Sequence, residues 1–223
     1  MGLTIDTAAP CQGTITVLIA DDHAVVRRGL KQILAETPDI AVGAEAVNAH
    51  QVQELVRARE WDVLILDITM PGRSGLDILR ELKQERPKLP ILFLSMHSED
   101  QFATRVFKGG AAGYLPKETA AEELVQAIRK VHQGGKYVSA SQAEKLVHTF
   151  ESAGDKAPHE ALSNREYEVL RLIASGRTVT QIAEQIQLSV KTVSTYRARI
   201  LEKMGMRSNA EIAAYAVRNQ LVE

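Results

Sequence analysis

Residues 61–75 read WDVLILDITMPGRSG. Val63, Leu64, Ile65 and Leu66 form an apolar run without alternation, as expected of a strand buried on both faces in a helix-covered parallel sheet. The run stops at Asp67, and Met70-Pro71-Gly72 then turns the chain. The same grammar repeats on either side. Ile15–Ala20 (ITVLIA) ends at Asp21-Asp22, Ile40–Ala46 is a second predicted strand, Ile91–Ser95 a fourth, and 113–115 a short fifth. Apolar residues at helical spacing separate them: Val25, Val26, Leu30, Ile33 and Leu34, then segments 49–59, 76–85, 100–108 and Ala121–His132. Arg86-Pro87 and Gly109-Gly110 stop two of these helices. Gly134-Gly135 ends the last, with Lys130 and His132 in its final turn. Five strand–helix units in series predict an α/β domain over 14–136, an open parallel sheet with helices on both faces. Ligands of such sheets sit outside the carboxyl ends of the strands.

The 223 residues suit one large domain or two small ones. No apolar stretch approaches the roughly 18 to 20 residues of a membrane span, so no membrane association is expected. The opening MGLTIDTAAPCQG has neither the basic flank nor the apolar core of a secretory signal, and 1–13 is expected to be a disordered leader. Cys11 is the only cysteine, which excludes an intramolecular disulfide and a cysteine metal site. A cytoplasmic protein is the simplest expectation. The formal net charge of −1 gives no whole-chain sign of nucleic acid, so any such footprint must be local.

Asp21, Asp22 and Asp67 end strands on one edge of the sheet. Ser95 ends the fourth strand, and Lys117 closely follows the fifth. In a flavodoxin-like order, 2-1-3-4-5, these side chains converge on one crevice. Singly, an acid after a strand is as readily a helix cap, and Asp22 is a candidate cap for 23–34. Together, clustered carboxylates raise one another's pKa unless a cation or lysine compensates. A hard divalent ion, Mg²⁺ above all, suits a few carboxylates, a carbonyl and waters.

The pattern DD, then D-x-x-MPG-x-x-G, then S, then GYLPK is similar to the receiver domain of two-component response regulators. The resemblance implies that Asp67 is the phospho-acceptor and that Asp21, Asp22, Asp67 and the backbone carbonyl of Thr69 hold Mg²⁺. It implies that Ser95 and Lys117 contact the phosphoryl group and that Tyr114 is an aromatic switch. Without the motif, Tyr114 would read as a partly buried strand aromatic. Ser95 stands where threonine is commoner in the family, with the hydroxyl kept. Pro116 precedes Lys117, whereas many receivers place proline after the lysine. His97 lies where the family tunes dephosphorylation, and it reads equally as an exposed loop histidine.

Residues 137–160 have linker composition. From 161 to 223 the pattern is all helix. Ser163-Asn-Arg-Glu166, Thr178-Val-Thr-Gln181 and Ser208-Asn-Ala-Glu211 have the capping-box form, and Ser189 caps a further helix. Four helices are predicted, at 163–175, 179–186, 190–204 and 208–219. On the third, Val190, Val193, Ile200, Leu201 and Met204 are expected to pack inward. Lys191, Ser194, Thr195, Ala198 and Arg199 lie across the other side. Lys191, Arg197, Arg199, Lys203 and Arg207 against Glu202 make a local phosphate-binding footprint. One basic helix alone would read as a solvated face.

Residues 162–216 resemble the LuxR-type helix-turn-helix, and with the receiver the chain resembles the NarL/FixJ arrangement. The resemblance implies double-stranded DNA as a partner, with Lys191, Thr192, Ser194, Thr195, Arg197, Ala198, Arg199 and Lys203 at the interface. Ser194, Thr195 and Ala198 fall where relatives read bases. Lys191 and Arg199 are the expected phosphate contacts. Arg197 falls near the inward side and is a candidate partner for Glu166. Ile212, Ala213, Ala216 and Val217 form a stripe on the last helix, suited to the core or a dimer contact.

The function expected is a transcription factor phosphorylated on Asp67 by a sensor histidine kinase, dimeric when phosphorylated and not a turnover enzyme. A haloacid-dehalogenase-type phosphatase would need an acid two residues after Asp67, where Thr69 stands. A constitutive DNA-binding protein with an inert receiver would not need the intact acidic set.

Overall fold

The computed structural model describes residues 13–95, 99–119, 121–139, 157–219 and 221–222. The predicted leader up to residue 12, Cys11, His97 and linker residues 140–156 lie outside the described residues. The chain divides into two compact units, 1–146 and 147–223.

Among the described residues of the first unit five strands alternate with five helices: β1 Ile15–Ala20, α1 Ala24–Ala35, β2 Ile40–Ala46, α2 Ala49–Ala58, β3 Val63–Asp67, α3 Gly75–Glu85, β4 Ile91–Ser95, α4 Glu99–Lys108, β5 Gly113–Pro116 and α5 Ala121–His132. The strands are all parallel in the order β2-β1-β3-β4-β5. This is the flavodoxin-like order expected, and every residue of β3 and β4 is buried. Parallel pairing in register sets Asp67 opposite Leu94 and Ser95 opposite Pro116, so these strand ends lie side by side.

The turn after β3 is shaped by close approach. Gly75 donates its N–H to the Ile68 carbonyl at 2.9 Å, and a Cβ at residue 75 would clash with the Asp67 carbonyl oxygen. Only glycine lets α3 start that near the strand end. Ser74 caps α3 in a capping box with Asp77, a box the sequence pattern missed because it was sought with Glu or Gln. The expected linker begins with a residue still tied to the sheet: Tyr137 donates its N–H to Ala112 O at 2.8 Å, and its hydroxyl donates to Glu123 at 2.8 Å.

Among its described residues the second unit has a short 3-10 turn at Pro158–Ala161 and four helices: α6 Asn164–Ala174, α7 Val179–Gln185, α8 Val190–Met204 and α9 Asn209–Arg218. Ser163 and Thr178 form the predicted capping boxes, and Ser189 caps α8 through the Thr192 N–H. At α9 the box is displaced: Ser208 Oγ accepts from the Glu211 N–H and donates to Glu211 Oε1 at 3.3 Å, while the other Glu211 oxygen accepts from the Arg207 N–H rather than from the Ser208 N–H. Gly205 ends α8 at φ +65, and Met206 N–H returns to Leu201 O at 2.8 Å. Helix α6 packs on α8 and α9, and α7 packs on α8. The buried apolar set includes Val169, Leu170, Ile182, Val193, Ile200 and Ile212. Among the described residues no helix is long and apolar enough to cross a membrane.

Candidate functional site

The carboxyl edge of the first unit's sheet collects the predicted acids. Strand β1 leads into Asp21, β3 ends on Asp67, β4 ends on Ser95, and β5 leads into Lys117. Lys117 Nζ lies 2.6 Å from Asp21 Oδ2 and 2.7 Å from Asp67 Oδ2, and all three side chains are buried. Lys117 is pinned beside β4 by its N–H, which donates to Ser95 O at 2.8 Å. All peptide bonds among the described residues are trans, so Pro116 before Lys117 is accommodated without isomerisation. Helix α1 is not capped by Asp22: its N-cap is His23, whose side chain makes no capping hydrogen bond.

Burial pushes the Asp67 carboxyl up to about 7, against the pull of the Lys117 ammonium and with a further push from the Asp21 charge. Burial would lower Lys117, but Asp67 and Asp21 outweigh it and hold the ammonium above its ordinary range. The Thr69 N–H donates to Asp67 Oδ1 at 3.2 Å, which steadies the charged form. Asp21, Asp22, His23 and Asp67 each offer a ligand atom, and these atoms all lie within 4.8 Å of one another. Buried carboxylate oxygens so grouped fit a hard divalent cation such as Mg²⁺.

Two residues at this edge escaped the sequence reading. His23 Nδ1 lies 2.8 Å from Asp22 Oδ1. Arg27 donates through Nη1 to the Asp21 carbonyl at 2.8 Å and through Nε to Glu45 at 2.9 Å, bracing the β1 end against β2. Both follow within five residues of the Asp-Asp pair, and that proximity was the available signal. Tyr114 is fully buried, across from Phe93, so its ring is enclosed rather than partly exposed.

In the second unit, Lys191, Ser194, Thr195, Ala198 and Arg199 are exposed together along one side of α8. Thr192 is half-buried, its hydroxyl 2.7 Å from Ser189 Oγ, and Thr195 returns its hydroxyl to Lys191 O at 3.0 Å. Two expectations are corrected. Glu166 pairs with Lys203 at 2.7 Å, not with Arg197, which instead donates to Asn209 Oδ1 at 2.6 Å. Lys203, predicted at the DNA interface, is 42 % exposed while it holds Glu166. Val190, the first residue of α8, is 47 % exposed rather than inward, while Val193 in the same turn is buried. On α9, Ile212 and Ala216 are core residues, and of that stripe Val217 stays 61 % exposed. Helix α6 also buries charge: Arg165 Nη1 meets Glu168 Oε2 at 2.6 Å, and Arg171 donates to Leu221 O at 3.0 Å.

Residues 17–129 match the response regulator receiver domain family, and residues 160–216 match the luxR family of bacterial regulatory proteins. The chain is similar to response regulator GacA of Pseudomonas aeruginosa, 38% identical over 210 residues that cover 94% of this chain and 98% of that protein. It is similar to response regulator UvrY of Escherichia coli, 35% identical over 208 residues that cover 93% and 95%. Among solved structures it resembles RcsB of Salmonella enterica serovar Typhimurium bound to promoter rprA in the presence of the phosphomimetic BeF3-. That likeness has a TM-score of 0.60 and 27% identity, and covers 91% of this chain and 98% of that one. A LuxR-family two-component response regulator from Aurantimonas sp. SI85-9A1 has a TM-score of 0.57 and 32% identity, covering 62% of this chain and 99% of that one.

Proposed function

The chain belongs to the response regulators, a receiver domain joined to a LuxR-type DNA-binding domain, and on that premise we propose that phosphorylation of Asp67 by a sensor histidine kinase controls its binding to promoter DNA. The observation that carries this proposal is the Asp21–Lys117–Asp67 cluster at the carboxyl edge of the sheet. It supplies a nucleophile, a charge partner and a cation site in one crevice.

An Asp67 carboxylate oxygen attacks the phosphorus of the kinase's phosphohistidine. The phosphorus–nitrogen bond breaks, its electron pair returns to the imidazole, which is protonated, and an aspartyl phosphate remains. Lys117 pulls Asp67 toward its charged, nucleophilic form before transfer and meets the phosphoryl oxygens after it. Ser95 donates its hydroxyl to the new group. Asp21, Asp22, Asp67 and the Thr69 carbonyl would hold a Mg²⁺, which would supply charge neutralisation and alignment.

The phosphoryl group adds roughly −1.5 to −2 charges beside β4. Ser95 moves toward it, and the enclosed Tyr114 ring packs into the space released, so phosphorylation favours this packing over an outward ring. The changed surface promotes a homodimer. DNA is met by the exposed side of α8: Lys191 and Arg199 take phosphates, and Ser194, Thr195 and Ala198 face the bases with Thr192 at the edge. The short side chains there leave much of the discrimination to DNA shape and half-site spacing. Receiver, linker and DNA-binding domain occupy 14–136, 137–160 and 161–223, and the protein works in the cytoplasm, where its DNA is.

The test is radiolabel incorporation from a small phosphodonor with Mg²⁺, followed by a gel shift with and without that donor. Wild type should be labelled and should shift DNA more strongly when labelled. Asp67→Asn should lose both effects, and labelling retained in that variant removes Asp67 from its role.

A further inference from the structure

The acidic crevice carries one donor of different chemistry. His23 Nδ1 lies 2.8 Å from Asp22 Oδ1 and 3.3 Å from Asp21 Oδ1. Its ring completes the group of ligand atoms that lie within 4.8 Å of one another. We propose that His23 is a nitrogen ligand to the receiver's divalent cation and biases the site from Mg²⁺ toward Mn²⁺ and the later first-row ions. This rests on the crevice being the cation site proposed above.

Two features place the ring for that role. The His23 N–H donates to Asp21 Oδ1 at 2.8 Å, which ties the His23 backbone to the innermost carboxylate. The side chain takes no part in capping α1, so the helix does not hold the ring. The ring is 61 % exposed, whereas the Asp21 and Asp22 side chains are 2 % and 13 % exposed. The imidazole thus closes the solvent side of a buried oxygen set. That is the side on which a bound Mg²⁺ would retain water, since it dehydrates reluctantly and takes oxygen donors. Imidazole gives Mg²⁺ little, while transition ions accept it readily.

A plain counter-ion role for a protonated His23 predicts something different, because a positive ring would weaken every divalent cation alike. The full chain, stripped with chelator, is titrated calorimetrically with Mg²⁺ alone and with Mn²⁺ alone. The Mn²⁺ complex is then examined by pulsed electron paramagnetic resonance with histidine-selective ¹⁵N labelling. Wild type should show a histidine nitrogen coupling that His23→Ala lacks. The variant should lose about tenfold in Mn²⁺ affinity, in line with the cost of disturbing a metal's ligand set, while Mg²⁺ affinity changes far less. Absence of the nitrogen coupling in wild type, or an equal shift for both ions, overturns the proposal and leaves the crevice reading intact. Mg²⁺ and Mn²⁺ binding undiminished in Asp67→Asn would instead overturn the crevice reading, and this proposal with it.

Discussion

Lys117 Nζ donates to Asp67 Oδ2 at 2.7 Å across 50 residues of sequence, and the same ammonium lies 2.6 Å from Asp21 Oδ2. One cation therefore balances two buried acids, and replacing it exposes what the pairing is worth. In chelator, Lys117→Met should destabilise the receiver by about 3–5 kcal/mol, the usual cost of leaving a buried charge without its partner. Added Mg²⁺ should recover part of that loss. Urea unfolding followed by the fluorescence of Trp61, the protein's one tryptophan, measures it. Unchanged unfolding would mean that the acids do not depend on Lys117.

The raised Asp67 pKa has a definite sign in stability. Its folded value of about 7 exceeds the ordinary 3.8. Between those values the folded chain keeps a proton that the unfolded chain releases, so this group's contribution falls as pH rises from about 4 to about 7. Asp67→Asn removes that slope. Without divalent cations the variant should gain thermal stability over wild type at pH 8 and gain little at pH 4.5. Equal gains at both pH values would contradict the assignment, and Mg²⁺ should shrink the difference at pH 8.

Glu166 behaves in the opposite sense. Burial pushes its carboxyl up, but the Lys203 hydrogen bond and the Ser163 backbone and side chain together hold it below the ordinary 4.5. Its contribution is present above the ordinary glutamate value and is lost as pH falls through the depressed one. Glu166→Gln should cost the C-terminal unit about 1–3 kcal/mol near neutrality, the scale for stripping a partner from a buried polar group. That difference should fade in acid. Far-UV circular dichroism follows it, with Trp61 reporting the receiver separately.

Basic residues on α8 should divide into two kinds. Lys191→Ala and Arg199→Ala should weaken promoter binding across sequences and each reduce the slope of log affinity against log salt by about 1. Lys203→Ala, tied to Glu166, should lower thermal stability and leave the slope nearly unchanged. Fluorescence anisotropy on promoter DNA at several salt concentrations separates the two. A full unit of slope lost in Lys203→Ala would return that lysine to the interface.

The receiver's plan was legible because buried parallel strands read as apolar runs and each ends on chemistry: Asp21, Asp67, Ser95. Helix starts in the second unit were legible because the capping boxes at Ser163 and Thr178 are local patterns. Side-chain partnerships were less so. The wheel position of Arg197 suggests Glu166 as its partner, but Lys203 in the last turn of α8 makes that pair and Arg197 meets Asn209 on α9. Val190 carries the right spacing for the core, but spacing says nothing about where the core ends. His23 was passed over because a histidine beside two acids has no periodicity to mark it.

Helix α8 spends its inward residues and two of its cations on holding its own domain, through Val193, Ile200, Arg197 with Asn209, and Lys203 with Glu166. Ser194 and Ala198 carry none of those ties, and Thr195 only a bond to its own helix. If the exposed side of α8 reads DNA as proposed, cement and alphabet occupy one rod without sharing a residue. On the proposed interface, a regulator built on this scaffold would be free to drift to new operators by exchanging three small side chains while its fold stays intact.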